Sequence, residues 1–291
     1  MLFPETIYEK DLPTDSQNRR MVLSLTHNRC DAAVWDDNVA GSLRIVSTDH
    51  ISKGNNGQWI GLEDFLYDNP GLLAPMSQTK FLVATEDVVI MPGVMMSEDA
   101  VQFLRASVAI GQGLDETHYN DIWYNCCNTN VGILVQSKLA RFISRSFMPV
   151  EIKWYASVIT EYWQRIIYDN KKEYHRCFFQ AFTVISPDSL ITTIVVDRDG
   201  NLVAATSRKG ATVSDKSYYI LSLLDSLTSS MNEDVNLLIF GPPQESVALK
   251  EKLSGWIDAK LHTYITGKPS IIDSTQLHLI APELLLAIET F

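Results

Sequence analysis

Carboxylates are the side chains of this chain with the widest possible chemistry. Two neighbouring pairs stand out, Glu63 with Asp64 and Glu116 near Asp121. Paired carboxylates can divide the work of general acid and general base when their surroundings push their pKa values apart. The chain has 35 acidic residues among 291, so such neighbours also arise without any function. We therefore predict a catalytic role for neither pair.

The remaining polar residue types do not have the spacing of a known catalytic, metal or nucleotide motif. No GxSxG surrounds a serine, and neither GxxxxGK[ST] nor GxGxxG occurs; Gly111–Gln112–Gly113 lacks the third glycine. No HExxH or other metal-ligand spacing links the six histidines, which are His27, His50, His118, His175, His262 and His278. We predict no catalytic residue, no cofactor-binding residue and no metal ligand.

Four cysteines leave two interpretations open. Cys30, Cys126, Cys127 and Cys177 form no CxxC pair, and the neighbours Cys126 and Cys127 cannot form a disulfide without strain. Buried, reduced thiols are the simpler interpretation. A metal-binding or redox role is the alternative.

Composition limits the class of protein and of partner. Hydrophobic residues make up 46% and charged residues 20%, which is typical of a globular chain, and 291 residues favour two domains. The formal net charge of -11 disfavours nucleic acid as a partner. No apolar run is long enough to span a bilayer, and residues 1–14 are too charged for a signal peptide, which together predict a cytoplasmic protein.

The order of predicted elements repeats once along the chain. The first half begins with three strands over residues 20–26, 30–35 and 43–47, and continues with alternating helices and strands. Its further helices are predicted over 62–67, 97–109, 138–147 and 154–168, and its further strands over 80–84, 88–92 and 131–136. The second half begins with strands over 177–185, 190–196 and 202–206, followed by helices over 216–230, 245–260 and 282–289 and strands over 236–240 and 262–265. We predict an α/β protein of two lobes, residues 1–170 and 171–291, each with a mixed sheet flanked by helices.

Aromatic residues cluster in one predicted helix. They are Trp154, Tyr155, Tyr162, Trp163 and Tyr168. They could form a stacking platform for bases, but no basic run lies nearby, so helical spacing favours packing in the core or between the lobes.

Several stretches together resemble a known family. They are Lys80–Asp99, Asp199–Ser207, Asp215–Leu221 and Leu237–Gly241. They are similar to a bacterial family of unknown function whose fold resembles that of the actin, Hsp70 and sugar-kinase ATPases, with two ribonuclease H-like lobes. The resemblance runs from about residue 20 to the end. It implies that fold and brings no known activity with it.

Actin-like ATPases hold phosphates at a hairpin in each lobe, usually with an Asp-x-Gly pattern that also positions magnesium. The resemblance places these hairpins at Leu25–Arg29 and Ile185–Ser189, where neither Gly nor the full pattern is present. Pro187 also removes an amide donor from the second hairpin, where Asp188 is a turn-forming residue by preference and a metal ligand only as an alternative. The adenosine segment corresponds to Phe240–Gln244, which keeps one glycine and adds two prolines.

Two functional hypotheses follow. The first is a non-catalytic binding or scaffold protein on an actin-like frame, with an unknown protein partner docked between the lobes or on a strand edge. The alternative is a divergent ATP-dependent phosphotransferase or hydrolase. In that case Asp31, Asp188 or Asp197 should project into one cleft.

Overall fold

The computed structural model describes residues 6–12, 17–53, 59–85, 88–92, 102, 106, 119–168, 179–228, 235–262, 271 and 280–291. The strands are β1 (Arg19–Leu25), β2 (Cys30–Asp36), β3 (Arg44–Thr48), β4 (Ser52–Lys53), β5 (Trp59–Ile60), β6 (Gln78–Val83), β7 (Val88–Pro92), β8 (Tyr119–Cys126), β9 (Thr129–Gln136), β10 (Val150–Trp154), β11 (Phe179–Ile185), β12 (Leu190–Asp197), β13 (Leu202–Lys209), β14 (Val235–Phe240) and β15 (Ala259–Leu261). The α-helices are α1 (Leu62–Asp68), α2 (Ser137–Ser146), α3 (Tyr155–Tyr162), α4 (Val213–Thr228), α5 (Pro243–Leu253) and α6 (Pro282–Glu289).

Two five-stranded sheets have the same strand order and the same pattern of directions. The first runs β3-β2-β1-β6-β10 and the second β13-β12-β11-β14-β15. In each sheet, the first three strands in chain order form an antiparallel meander. The fourth strand pairs parallel with the first, and the fifth pairs parallel with the fourth. The predicted pair of mixed sheets is confirmed, whereas the boundary near residue 170 stays a prediction.

Two smaller sheets accompany the large ones. β7, β9 and β8 form a three-stranded antiparallel sheet in that order, and β4 pairs with β5. Gly132 in β9 leaves room for the ring of Trp123, because a Cβ there would lie 2.5 Å from the indole. This packing explains the glycine inside a strand.

α3 and α6 connect the two large sheets. α6 packs against β1 and β2 of the first sheet, against β11 of the second, and against α3, which also contacts β12 and β13. Each residue of α6 is buried, including Glu283 and Glu289. One hydrophobic cluster therefore contains residues of both sheets, such as Met21 and Phe182. A second cluster lies on the other face of the second sheet, against α4 and α5.

Buried hydroxyl pairs link the meander of the second sheet. Thr183 on β11 and Thr193 on β12 approach within 2.9 Å, and Thr192 on β12 lies 3.0 Å from Ser207 on β13. Thr192 and Thr193 are consecutive, so the two pairs lie on opposite faces of the sheet. Each hydroxyl has a partner in a part of the sheet that water does not reach.

Most predicted elements appear in the structure, and the differences have local causes. The strands β8 and β10 were not predicted, and the helix predicted over 154–168 is α3 followed by a wider π-type turn, Trp163–Tyr168. α5 ends at Leu253 and not near residue 260, because the amides of Trp256 and Ile257 fold back onto the Leu253 carbonyl. Of the strand predicted over 262–265, only His262 is described, and it lies directly after β15 (Ala259–Leu261) and outside any strand. The predicted helix over 97–109 and the loop over 111–117 lie outside the described residues, apart from positions 102 and 106.

Candidate functional site

The turn between β1 and β2 is closed by its own hydrogen bonds. The Thr26 amide donates to the Arg29 carbonyl at 3.0 Å, and the Thr26 hydroxyl donates to the same oxygen at 3.3 Å. The Arg29 guanidinium turns back toward the sheet, where it donates to the carboxylates of Asp31 and Asp49. The turn thus presents a cation that is already paired.

Asp31 is the carboxylate next to this turn, and it is fully engaged. Arg29 Nε and Nη2 donate to it at 2.7–3.0 Å, and the Ser47 hydroxyl donates to Oδ1. Its side chain is buried at the start of β2. Burial raises the pKa of Asp31, while the hydrogen bonds and charge of Arg29 act in the opposite direction. This carboxylate is a structural ion-pair partner and has no freedom to position a hydrated metal.

The turn between β11 and β12 is closed in a similar way. The Ser186 amide donates to the Leu190 carbonyl at 2.8 Å, and the Ser189 amide donates to the Ser186 carbonyl at 3.1 Å. Asp188 Oδ1 accepts the Leu190 amide at 3.3 Å, which is the turn-forming role predicted for it. Pro187 has no amide proton. The amides of Ser186, Ser189 and Leu190 are therefore used within the hairpin.

Asp197, the third candidate carboxylate, lies at the other end of β12 from Asp188. Its oxygens accept the amides of Asp199 and Asn201 and the Asn201 side-chain amide, each at 2.9 Å. Gly200 completes this turn with φ of 82°. The length of β12 separates Asp197 from Asp188 by about 23 Å at the usual rise per residue. These two carboxylates therefore do not share a cleft.

A buried carboxyl group between the sheets was missed by the sequence interpretation. Glu283 lies in the first turn of α6, and its Oε2 accepts the Ser186 hydroxyl at 3.2 Å. The Ser186 hydroxyl also lies 2.6 Å from the hydroxyl of Tyr155 on α3. Oε1 of Glu283 is buried and has no hydrogen-bond partner among the described residues. The group thus joins α3, α6 and the hairpin of the second sheet.

The surroundings of Glu283 favour its neutral form. Burial raises its pKa to about 8, and the negative charges of Asp31 and Asp188 contribute in the same direction. Burial also raises the pKa of Tyr155. Below about pH 8 the cluster therefore combines a neutral carboxyl group with two hydroxyl groups, and a neutral acid of this kind can donate a hydrogen bond or release one proton. Only the pattern of one Glu within the apolar run Pro282–Ile288 could have drawn attention to it.

Lys80 is a second buried ionisable group that the sequence interpretation missed. Its ammonium group donates to the carbonyl of Thr290 at 2.7 Å and lies 4.2 Å from the ring centroid of Phe291. Burial lowers its pKa to about 8. The rings of Phe291 and Trp35 in turn pack in a T-shaped arrangement, with 5.0 Å between their centroids. Lys80 thus fastens residues 290–291 to the first sheet.

The other sequence candidates are not brought together. Glu63 and Asp64 lie exposed on α1, Asp121 lies on β8, and Glu116 is outside the described residues. Within the described ranges, no group of three His, Cys, Asp or Glu side chains could hold a metal ion. Trp154, Tyr155, Tyr162 and Trp163 are buried, as core packing predicts, while the side chain of Tyr168 is not described.

Comparison with solved structures identifies the fold. A crystal structure of a protein of Bacteroides thetaiotaomicron VPI-5482 with actin-like ATPase fold and unknown function is similar, with a TM-score of 0.66 and 12% identity over 93% of this chain and 96% of that chain. This chain has an actin-like ATPase fold. A second similar structure is the PilM-PilN type IV pilus biogenesis complex, with a TM-score of 0.52 and 10% identity over 96% of this chain and 98% of that chain. No protein-family model and no curated protein matches the sequence.

On the actin-like frame, the segment expected to approach adenosine is closed by packing. A Cβ at Gly241 would lie 2.7 Å from the Cβ of Ile185 and 2.9 Å from its carbonyl oxygen. The glycine is therefore required by the contact between β14 and β11. Pro242 and Pro243 follow at the start of α5 and contribute no amide protons.

Proposed function

We propose that this chain is a non-catalytic binding or scaffold protein that keeps the actin-like frame without its nucleotide chemistry. The observation that carries the proposal is the closure of both phosphate hairpins. In the first, Arg29 neutralises Asp31; in the second, the amides of Ser186, Ser189 and Leu190 are used internally. A triphosphate needs free amides and a carboxylate that can hold hydrated magnesium.

Isothermal titration with ATP and Mg²⁺ tests the loss of nucleotide binding. We expect no heat of binding at micromolar ATP, and the same result with ADP. A parallel thermal melt of the titrated sample verifies that the protein is folded. Magnesium-dependent binding in the micromolar range would overturn the proposal.

The proposed partner is another protein. The net charge of -11 disfavours nucleic acid, and no helix among the described residues is long and apolar enough to cross a membrane. The similar PilM structure was solved as a complex with PilN, which supports a binding role for this frame. The cytoplasmic location and the docking surface, between the lobes or on a strand edge, stay predictions.

A capture experiment separates a scaffold from a nucleotide-regulated binder. The immobilised chain is exposed to host extract, washed, and then eluted with Mg²⁺-ATP or with buffer. We expect the same eluted proteins in both arms, because on this proposal the chain binds no nucleotide that could release them. Selective release by Mg²⁺-ATP would contradict a nucleotide-free mode of binding.

The second candidate function is a divergent phosphotransferase or hydrolase. It is favoured by one observation: Asp31, Asp188 and Glu283 interact electrostatically around the interface between the sheets. Glu283 would then serve as the general acid or base. ATP turnover by the wild-type chain that disappears in Glu283→Gln would support this candidate; absence of turnover in the wild type removes it.

A further inference from the structure

The turn between β8 and β9 places two cysteines in an unusual backbone conformation. Cys126 pairs with Thr129, so Cys127 and Asn128 form a two-residue hairpin loop. Both have positive φ, 49° and 59°. Two-residue loops with this geometry favour Asn and Gly, and Asn128 fits that preference. Cys127 does not, so turn chemistry alone does not explain a cysteine at this position.

The two thiols of this turn face one another. Cys126 Sγ lies 4.0 Å from Cys127 Sγ and 3.7 Å from the Ser157 carbonyl oxygen. Cys126 is buried, whereas Cys127 is half-buried. The single S–H proton of Cys126 serves one of these acceptors at a time. The thiol of Cys126 is thus positioned to donate to the sulfur of Cys127, the less buried of the two residues.

The charged groups near the turn do not offset the effect of this hydrogen bond on the pKa of Cys127. Lys153 on β10 and Glu161 on α3 are paired at 2.8 Å, and their effects on Cys127 oppose one another. The hydrogen bond from Cys126 lowers the pKa of Cys127, against the effect of burial. The pKa of Cys126 is raised by the same hydrogen bond and by burial. Cys127 Sγ is therefore the sulfur that carries negative charge more readily.

We infer that Cys127 is a thiol–disulfide exchange site for low-molecular-weight disulfides, with Cys126 as a positioning residue. The Cys127 thiolate attacks one sulfur of the small disulfide RSSR. A new bond forms between Cys127 Sγ and that sulfur, the S–S bond of the reagent breaks, and RS⁻ leaves with the electron pair. The protein gains one RS group, and Cys126 keeps its proton.

An adduct at Cys127 would lie beside a contact between two sheets. The side-chain amide of Asn128 donates to Asn201 Oδ1 at 3.4 Å, and the Thr129 hydroxyl donates to the Leu202 carbonyl at 3.3 Å. Asn201 and Leu202 belong to the hairpin between β12 and β13 of the second large sheet. Modification of the turn therefore acts where the small sheet contacts the second large sheet.

The test uses the full chain with Cys177→Ser, so that this thiol does not react. The reduced protein is mixed with glutathione disulfide and followed by intact mass and peptide mapping over pH 6–9. We expect one adduct on Cys127, none on the buried Cys30, and loss of the adduct in Cys127→Ser. If Cys127→Ser is labelled to the same extent as the protein that keeps Cys127, under native conditions, the inference is overturned.

The role of Cys126 has its own readout. In Cys126→Ala we expect the rate at neutral pH to fall by about three- to tenfold and the midpoint of the pH–rate profile to move upward, because the thiolate loses its hydrogen bond. Cys126→Ser keeps a donor, so its midpoint should stay near that of the wild type. Identical profiles for the wild type and Cys126→Ala would contradict a positioning role. If Cys126→Ala does not fold, Cys127→Ser still decides whether the site exists.

Discussion

The protonation of Glu283 is linked to folding, because its carboxyl group is buried between the two large sheets. Its pKa of about 8 lies above the ordinary value of 4.5, so the folded chain holds this proton more tightly than the unfolded chain. The contribution of this carboxyl to the free energy of unfolding is therefore complete below pH 4.5 and is lost as pH rises toward 8.

The Glu283→Gln variant tests this linkage. We expect the wild-type free energy of unfolding to fall relative to that of Glu283→Gln between pH 5 and pH 8, by up to a few kcal/mol. Urea denaturation at several pH values measures the difference. The exposed Glu63→Gln serves as the control and should run parallel to the wild type. A wild type and Glu283→Gln that differ by a constant amount at all pH values would refute the linkage.

Arg29 and Asp31 allow a second prediction. Arg29→Met leaves the buried Asp31 without its cation, so we expect the free energy of unfolding to fall by about 3 kcal/mol at pH 8. The loss should be smaller at pH 5, because the pKa of Asp31 rises further without Arg29. Arg20→Met, which breaks the half-exposed pair with Asp37, should cost about 1 kcal/mol or less. Equal effects of the two substitutions in chemical denaturation would be inconsistent with a buried ion pair.

Gly241 allows a test of the packing that closes the adenosine segment. Gly241→Ala places the new Cβ against Ile185, where backbone atoms have to shift. We therefore expect the free energy of unfolding to fall by about 1–3 kcal/mol. Gly255→Ala is the matched control, since a Cβ there meets no atom within 4 Å. Thermal denaturation of both variants measures the contrast. A neutral Gly241→Ala would mean that this segment is open.

Among the elements, α6 was predicted with the bounds that the structure has. The uninterrupted apolar run Leu284–Ile288, directly after Pro282 and Glu283, predicts this helix. β8 and β10 were missed for different reasons. β8 mixes Asn and Asp with aromatic residues and lacks clear alternation, and β10 lies directly before α3, where its apolar residues extend the helical pattern. The position of Glu283 relative to Ser186 depends on how α6 crosses both sheets, and no local pattern contains that information.

Because α6 is buried along its whole length, shortening one of its side chains should lower the free energy of unfolding strongly. Leu286→Ala removes a fully buried side chain and should cost about 2–5 kcal/mol. Leu73→Ala, at a site where Leu is 38% exposed, should cost much less. Guanidinium denaturation compares the two. Similar small losses would indicate that α6 does not pack tightly between the sheets.

At the scale of the whole molecule, the two large sheets share one hydrophobic cluster through α3 and α6. We therefore expect the chain to unfold in a single cooperative transition, although it has two sheets of similar topology. Calorimetry checks this through the ratio of calorimetric to van't Hoff enthalpy, which should be close to one. Two resolved transitions would show that the sheets unfold independently. The sequence predicted the two sheets but not their shared core, because residues of both halves meet only through the folded chain.

The hydroxyl pairs of β12 have a consequence for how its neighbours align. A slip of one position that brought Ile194 opposite Thr183, or Ile191 opposite Ser207, would leave the hydroxyl of Thr183 or Ser207 facing an aliphatic side chain. Each buried hydroxyl left without a hydrogen-bond partner would cost about 1–3 kcal/mol, a penalty that purely aliphatic strands could not impose. Polar atoms in the interior of the second sheet thus disfavour these slips among three very hydrophobic strands.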